Sequence, residues 1–339
     1  LGPVKNGFVT DVRASQSAAH ALYKVDKVRG RKRYPKLIWT ALTADRFKSV
    51  SMLSASHGTK ENGRTGMPGF APADNRDRTI EVLGPVVENG PGGKPALRTF
   101  GKTLSAKSMD NGKTKNGHSI LLKLQYREFS VLFGGDLNSP AEHFLMRHYG
   151  NDGKAPETLA ETEAMISEAS KRFRVDLMKS CHHGSSDVTD EFLNATAPAG
   201  YVVSSGDDES HVHPRPDLLG LLGKMGRGQR PLVLCTEILR STRETESGDL
   251  RKKIDRINAR LDSESDAEKI RKLREELAQL VDHLFKRNVG VYGAINLRTD
   301  GKKSVIAFRK EKTTLRRWFT YELEPDVDGI FQVASEAGH

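Results

Sequence analysis

The stretch HSILLKLQYREFSVLFGGDL, residues 118–137, decides the fold class of this chain. It holds two mainly apolar runs, residues 120–124 and 129–133, separated by a short polar segment. Apolar runs of this length around a polar turn predict a β-hairpin. The second run leads directly into Gly134-Gly135-Asp136. The pattern therefore places a carboxylate in a tight turn at the end of a buried strand.

Strand and helix patterns alternate on the carboxyl side of this hairpin. The predicted helices cover residues 140–149, 157–171, a segment beginning at 190, and 215–225. The predicted strands there cover residues 175–179, 201–205 and 231–237, and a further strand at 79–88 precedes the hairpin. Alternation of this kind favours α/β layers around one core. We therefore expect an irregular basic segment over 1–78 that contributes partly to the core, a main domain over 79–247, and further strands of that domain and a tail over 288–339.

Residues 248–287 have a different character, because apolar residues recur there at three- and four-residue steps between charged ones. Ser265 followed by Glu268 has the form of a capping box between two helices. The segment therefore predicts a helical hairpin inserted into the main domain. Its apolar seam either packs on itself or on the main body, or it forms an arm for homo-oligomerisation or nucleic-acid binding. Beyond it, Asp300-Gly301 predicts a β-hairpin with a type I′ turn.

The composition limits the classes of function. Lys and Arg number 54 against 44 Asp and Glu, and the net charge of +10 suits a polyanionic partner such as nucleic acid. A basic solvated surface explains the same charge equally well. Two cysteines are too few for a disulfide framework, so we expect a cytoplasmic protein. The sequence contains no run of about 20 apolar residues and no signal peptide, so we expect no membrane partner.

Three segments at predicted strand ends carry side chains of the kinds that bind divalent metal ions. The first contains Asp136, which two glycines hold in a tight turn. A rigid carboxylate there is suited to bridge two cations through its oxygens. The alternative is an aspartate that caps the following helix, a common role at this point of the chain.

The second segment is Cys181-His182-His183-Gly184-Ser185, which follows the strand predicted over 175–179. Adjacent histidines at a strand end point to different sides, so one can bind a metal ion while the other transfers a proton. The alternative is an exposed histidine pair. We expect Cys181 to be a small core residue, because zinc–thiolate sites usually use several cysteines.

The third segment is His211-Val212-His213-Pro214-Arg215, which follows the strand predicted over 201–205. A His-x-His pattern puts both imidazoles on the same face of an extended chain, which is a sound geometry for metal binding. The alternative is an exposed loop pair. Among the other histidines, only His118 lies close enough to a predicted site strand to be expected near these residues.

The order and spacing of these motifs resemble the β-lactamase-like domain of ComEC-type competence proteins and its free-standing relatives, over roughly residues 79–310. The resemblance implies an αββα metallo-β-lactamase-like sandwich with a metal site at one edge of the sheets. Asp136 matches the family's bridging aspartate. His182 and His183 match its His-His-Gly-Ser loop, and His213 matches the histidine of its final His-Pro segment. Relatives often have a second histidine where this chain has Arg215, so His211 either replaces it or is incidental.

The resemblance also implies roles for these residues in a metal-dependent hydrolase. The expected metal ligands are Asp136, His182, His213 and His211. They would hold zinc or manganese, up to two ions in the complete protein, with His183 as the catalytic proton donor. Arg215 and Ser185 are expected to contact the substrate. The basic balance favours a phosphodiester in nucleic acid as that substrate, with the cations at 29 and 31–33 as a phosphate-contacting patch; esters, lactones and thioesters stay open.

The chain departs from the family in one respect, because the signature His-x-His-x-Asp-His loop does not occur in its sequence. Since that loop belongs to the amino-terminal half of the sandwich and the chain begins with Leu1, we expect a truncated amino terminus and therefore an incomplete site. The other interpretation is a degenerate domain. In that case the protein would be a non-catalytic binding module that uses the hairpin at 248–287 for partner interaction.

Overall fold

The computed structural model describes residues 3–13, 15–30, 33–47, 49–74, 77–101, 110–205, 213–236, 244–287, 293–310 and 318–338. Over these ranges the chain has a mixed α/β architecture, which agrees with the predicted fold class at this coarse level. The helices are α1 (Gln16–Lys24), α2 (Asp26–Arg29), α3 (Arg33–Thr43), α4 (Asn111–Gly117), α5 (Ser139–Gly150), α6 (Leu159–Phe173), α7 (Asp190–Thr196), α8 (Pro216–Met225), α9 (Glu244–Ser263) and α10 (Ala267–Arg287).

The strands form three sheets. They are β1 (Val4–Lys5), β2 (Phe8–Val9), β3 (Thr59–Glu61), β4 (Arg64–Gly66), β5 (Arg78–Gly84), β6 (Glu88–Asn89), β7 (Pro95–Arg98), β8 (Leu121–Tyr126), β9 (Phe129–Phe133), β10 (Leu177–Lys179), β11 (Gly200–Val203), β12 (Leu232–Cys235), β13 (Gly293–Thr299), β14 (Ser304–Lys310), β15 (Trp318–Pro325) and β16 (Phe331–Gly338). The largest sheet has the order β12-β11-β10-β9-β8-β5-β4-β3. Its strands from β9 to β12 are parallel, and the remainder are antiparallel.

The large sheet buries a different apolar cluster on each face. On one face, Leu132, Met178 and Tyr201 pack against apolar residues of α5 to α8. Successive residues of a strand point to opposite faces, so the alternate positions in the same strands, among them Val131 and Leu177, lie in a second cluster. That second cluster also contains Ile306, Leu323 and Phe331 of the antiparallel sheet β13-β14-β15-β16. The large sheet therefore lies between a helical layer and a second sheet.

Most elements predicted after residue 118 are confirmed. The hairpin at 118–137 is formed by β8 and β9, in which Leu122 pairs with Phe133 and Tyr126 with Phe129. The predicted helical hairpin is formed by α9 and α10, whose mutual packing buries Ile257 and Leu273. None of the described helices is apolar over a length that could cross a membrane.

The predicted type I′ turn at Asp300-Gly301 is wrong. Thr299 pairs with Ser304, so four residues form the loop between β13 and β14. The Asp300 carboxylate accepts hydrogen bonds from the backbone N–H groups of Lys302 and Lys303, each at 2.8 Å, and these contacts stabilise the longer turn. A positive φ is present at Gly301, at 89°, but not at Asp300, whereas a type I′ turn requires it at both central residues.

The segment 1–78 is more regular than the sequence predicts. Helices α1, α2 and α3 pack on one another, with Leu42 buried and the His20 and Trp39 rings 5.0 Å apart. Strands β3 and β4 extend the large sheet at one edge, so this segment contributes to the sheet as expected. Helix α4 lies in a Gly- and Asn-rich stretch that does not predict a helix. It begins after Asp110, whose side chain accepts a hydrogen bond from the Lys113 N–H.

Candidate functional site

The candidate site lies at the carboxyl ends of the parallel strands β9, β10 and β11. Gly134, Gly135 and Asp136 follow β9, and the turn Cys181–Gly184 follows β10. His213 lies in the connection between β11 and α8 and is buried, with 7% of its surface exposed. The carboxyl edge of a parallel sheet gathers polar side chains from separate parts of a chain, as it does here.

The turn before Asp136 requires glycine at both positions. A Cβ at residue 134 would lie 2.5 Å from Cys181 Sγ, and Gly135 has a φ of +56° with Ser119 Cβ 2.7 Å from its missing Cβ position. The turn is also tied to its neighbours. The Asp136 N–H donates to Ser119 Oγ at 2.9 Å, and the His182 N–H donates to the Gly135 carbonyl at 3.0 Å. These contacts fix Asp136 beside the histidine turn.

The histidine turn has an unusual backbone. His182 and His183 have φ values of 47° and 53°, and Gly184 follows at 87°, so three successive residues occupy the left-handed region. This region costs a non-glycine residue about 1–3 kcal/mol and occurs mainly where the surrounding structure imposes it. Here the Ser185 N–H donates to the His182 carbonyl at 2.9 Å, and the Arg215 N–H donates to the Gly184 carbonyl at 2.9 Å. These two hydrogen bonds hold the left-handed turn in place.

His183 and Asp136 face each other. His183 Nε2 lies 3.3 Å from Asp136 Oδ1, and His183 Nδ1 lies 2.8 Å from the Ser204 carbonyl oxygen. Because a carbonyl oxygen only accepts, Nδ1 carries a proton and donates it to Ser204. In the neutral imidazole the lone pair of Nε2 would then point at a carboxylate oxygen. This contact is favourable only when a proton or a cation lies between the two groups. The hydrogen bond from Nδ1–H to a carbonyl oxygen is also one that metal-binding histidines commonly make with their other ring nitrogen.

His182 and His213 form a second pair, with ring centroids 5.8 Å apart. His182 Nε2 lies 3.3 Å from Asn116 Nδ2 of α4, while His182 Nδ1 is buried and has no hydrogen-bond partner among the described residues. A buried imidazole nitrogen without a partner is costly, and coordination of a cation would satisfy it. Within the described ranges, no group of three or more His, Cys, Asp or Glu side chains stands at separations suited to hold one metal ion.

An open groove of about 870 Å³ runs beside His182 and His213. Its wall contains both residues expected to contact substrate, Arg215 and Ser185, and also Lys113 of α4. Three carboxylates line the same groove, at Asp110, Asp187 and Asp217. Lys113 Nζ lies 3.8 Å from Asp187 Oδ2, and the hydrogen bond from Ser186 Oγ lowers the pKa of Asp217. Arg215 is exposed at the amino terminus of α8.

A buried carboxylate lies near Asp187, one of the residues that line this groove. Glu142 of α5 accepts hydrogen bonds from the Thr189 N–H at 2.6 Å and from the Thr189 hydroxyl at 2.9 Å, where Thr189 caps α7. Burial raises the pKa of Glu142 to about 8, and these two hydrogen bonds oppose that rise. Cys181 is buried as predicted, and burial raises the pKa of its thiol.

The structure brings together Asp136, His182, His183 and His213, with Ser185 and Arg215 on the adjoining groove. His211 lies outside the described residues. His118 does not join the groove, because its Nε2 contacts the Arg98 carbonyl at 2.7 Å and its ring packs against Phe100. The sequence alone does not indicate three neighbours of these residues, Asn116, Ser119 and the Ser204 carbonyl. Only the Asp110 helix cap gave a local signal for any of them.

Comparison of the chain with protein families, with curated proteins and with solved structures finds no match.

Proposed function

We propose that this chain is a metal-dependent hydrolase of the metallo-β-lactamase superfamily that acts on phosphodiester bonds of nucleic acid. The proposal includes an αββα sandwich fold. It is supported at a coarse level by the helical layer, the eight-stranded sheet and the second sheet. The observation that carries the proposal is the Asp136–His183 contact of 3.3 Å beside the His182–His213 pair.

The side chains fit a divalent cation on two grounds. First, the Nδ1–H of His183 is used by Ser204, so Nε2 faces the Asp136 carboxylate, and the contact needs a proton or a nearby cation. Second, His182 Nδ1 is buried without a hydrogen-bond partner in the described structure. Imidazole and carboxylate together form the donor set that zinc and manganese accept. We assign Asp136, His182 and His213 as ligands, with His211 a further candidate.

A bound divalent cation would make a water more acidic and neutralise charge on the attacked phosphate. The protein's own groups perform the remaining tasks. Asp136 provides a carboxylate at the strand ends that would bind the cation, and the Ser204 carbonyl fixes the ring orientation of His183. When His183 carries a proton on Nε2 it can donate that proton to the departing oxygen, which is the role expected of it. Arg215 and Ser185 provide a guanidinium and a hydroxyl for phosphate oxygens at the groove wall.

Metal content and hydrolysis, measured on the same preparations, test this function. The wild-type protein should bind Zn²⁺ or Mn²⁺ stoichiometrically by plasma mass spectrometry and should cleave a fluorescein-labelled single-stranded DNA. The variants Asp136→Ala and His213→Ala should each bind the metal more than about tenfold more weakly and lose the cleavage. His143→Ala is the matched control, because it removes an exposed histidine of α5.

Two results would overturn the proposal. One is a folded wild-type protein that binds neither metal after incubation with excess Zn²⁺ or Mn²⁺. The other is cleavage of the DNA at an unchanged rate when both Asp136 and His213 are replaced by alanine. Retained metal binding with hydrolysis of a thioester or lactone but not of DNA would keep the family assignment and reject the phosphodiester substrate.

A further inference from the structure

The segment that contains the first three helices has a strong excess of cations. Residues 15–48 contain nine Lys and Arg residues and two Asp residues, a net charge of +7. The three helices of this segment pack on one another. A charge imbalance of this size on a small helical unit generates an attractive potential for a polyanion.

Helix α3 presents an exposed surface that combines cations with apolar side chains. Arg33, Tyr34, Lys36 and Leu37 are exposed there, Tyr34 and Leu37 each to 66%. We name these four residues the α3 surface. Its other apolar residues turn toward the helical unit, since Leu42 is buried and Trp39 packs against His20. The exposed Tyr34 and Leu37 side chains therefore do not contribute to the core of the helical unit.

We propose that the α3 surface binds single-stranded nucleic acid. Arg33 and Lys36 lie on the same side of the helix, because residues three apart are neighbours there, and both can contact phosphates along one strand. Tyr34 offers an exposed ring on which an unpaired base can stack. The bases of a duplex hide their faces, so an exposed ring on the same helix as these cations favours a single strand. The proposal does not depend on the metal site, and it can be tested with EDTA present.

An anionic membrane is the other polyanion that basic helices bind. A helix that lies on a membrane buries a continuous apolar face among the lipids. In α3 the apolar residues Trp39 and Leu42 are used inside the protein, and Leu37 and Tyr34 are the apolar side chains that remain well exposed on this helix. Two side chains give too little apolar area for stable insertion, and this favours nucleic acid as the partner.

Fluorescence anisotropy with a labelled 20-nucleotide oligothymidine, in EDTA and over a series of salt concentrations, tests the proposal. The double variant Arg33→Gln/Lys36→Gln should weaken binding and reduce the slope of log K against log salt by about 1.4, because two phosphate contacts to a single strand are lost. Tyr34→Ala should weaken binding roughly fivefold or more with an unchanged slope, because stacking is lost without loss of charge. Lys252→Gln/Lys253→Gln on α9 is the matched control, since it removes two exposed cations elsewhere.

Each alternative outcome has a clear meaning. An equal loss of affinity and slope in the α9 control would show that binding follows net charge alone, and would overturn the proposal. Unchanged affinity in Tyr34→Ala, or tighter binding of a 20-base-pair duplex, would overturn the single-strand assignment. Vesicles with 30% phosphatidylserine that bind the protein through Arg33 and Lys36 as tightly as the oligonucleotide does would overturn it in favour of a membrane. Unchanged circular dichroism in every variant ensures that these effects report on binding.

Discussion

Glycine at residue 134 allows the strand end and the histidine turn to approach each other. Its missing Cβ position lies 2.5 Å from Cys181 Sγ and 3.2 Å from the Lys179 carbonyl oxygen, so no side chain fits there without movement. The close approach lets the His182 N–H reach the Gly135 carbonyl. The geometry of Asp136 relative to His183 thus depends on a residue that contributes no chemistry of its own.

Substitution of Gly134 by alanine should separate these two turns. We expect a loss of about 1–3 kcal/mol in the free energy of unfolding, since the added methyl group must displace the Cys181 side chain. Metal affinity should fall as well, because Asp136 moves with the turn. Denaturant unfolding and metal titration measure the two effects. Gly220→Ala is the control, because a Cβ there contacts nothing within 4 Å and α8 should gain up to about 1 kcal/mol. A Gly134→Ala variant as stable as the wild type would contradict the tight-turn account.

The buried carboxyl of Glu142 should make stability fall as pH rises. Its pKa is about 8 in the folded protein against an ordinary value of 4.5, so between these pH values the unfolded chain releases a proton that the folded protein keeps. Folding stability therefore decreases from pH 4.5 to about 8 and then levels off. Glu142→Gln cannot ionise and can still accept both Thr189 hydrogen bonds.

The melting temperature of Glu142→Gln should exceed that of the wild type by a margin that grows from pH 5 to pH 9. Differential scanning calorimetry at several pH values gives this comparison. A constant difference across the range would mean that Glu142 titrates normally.

At the level of single residues, the sequence indicates the side chains whose chemistry is suited to bind metal ions. Asp136, His182, His183 and His213 were found because they follow predicted strands, and strand ends are local features. Asn116, Ser119 and Ser204 were missed because each one acts through a contact with a residue distant in sequence. The left-handed backbone at His182 was also unpredictable, since tertiary hydrogen bonds rather than local preference hold it there.

At the element scale, the strongest predictions were those with clear periodicity. The apolar run of β9 and the spaced apolar residues of α9 and α10 have patterns that few other structures produce. Helix α4 has no such pattern, because its sequence NGKTKNG contains glycine, asparagine and lysine. Tertiary contacts stabilise it instead, since the buried Thr114 hydroxyl donates to the Phe100 carbonyl at 2.9 Å and accepts from the Phe100 N–H at 3.0 Å.

The hairpin of α9 and α10 should be able to unfold while the rest of the protein stays folded. Ile257 and Leu273 are its well-buried residues among those described, and the two helices pack mainly on each other. The double variant Ile257→Asp/Leu273→Asp should lose helical circular dichroism equivalent to these helices of 20 and 21 residues. The main thermal transition should stay within a few degrees of the wild type.

Arg256→Ala, an exposed change on α9, should leave both signals intact. Sedimentation of the same double variant tests the arm hypothesis. A lower oligomeric state than the wild type would support oligomerisation through the hairpin, whereas a large drop in the main transition would show that the hairpin packs on the body.

At the scale of the whole molecule, the apolar clusters explain why the site lies at one edge. Helices cover one face of the large sheet and the second sheet covers the other, so the strand ends are the places where polar side chains can gather without burial in either core. The sequence predicted the mixed architecture through its alternating elements. It did not predict how the sheet of β13 to β16 packs on the large sheet, because that packing joins residues distant in sequence, such as Phe129 and Phe331, whose ring centroids lie 5.2 Å apart.

Anomalous X-ray diffraction from crystals grown with Zn²⁺ or Mn²⁺ tests directly whether Asp136 and the neighbouring histidines bind a metal ion. We expect an anomalous peak about 2.0–2.2 Å from an Asp136 carboxylate oxygen and from at least one imidazole nitrogen of His182 or His213. The peak should disappear in Asp136→Ala crystals grown under the same conditions. Wild-type crystals grown with the metal that show no anomalous peak at these residues would contradict the metal site. A peak that is retained in the Asp136→Ala crystals would contradict it as well.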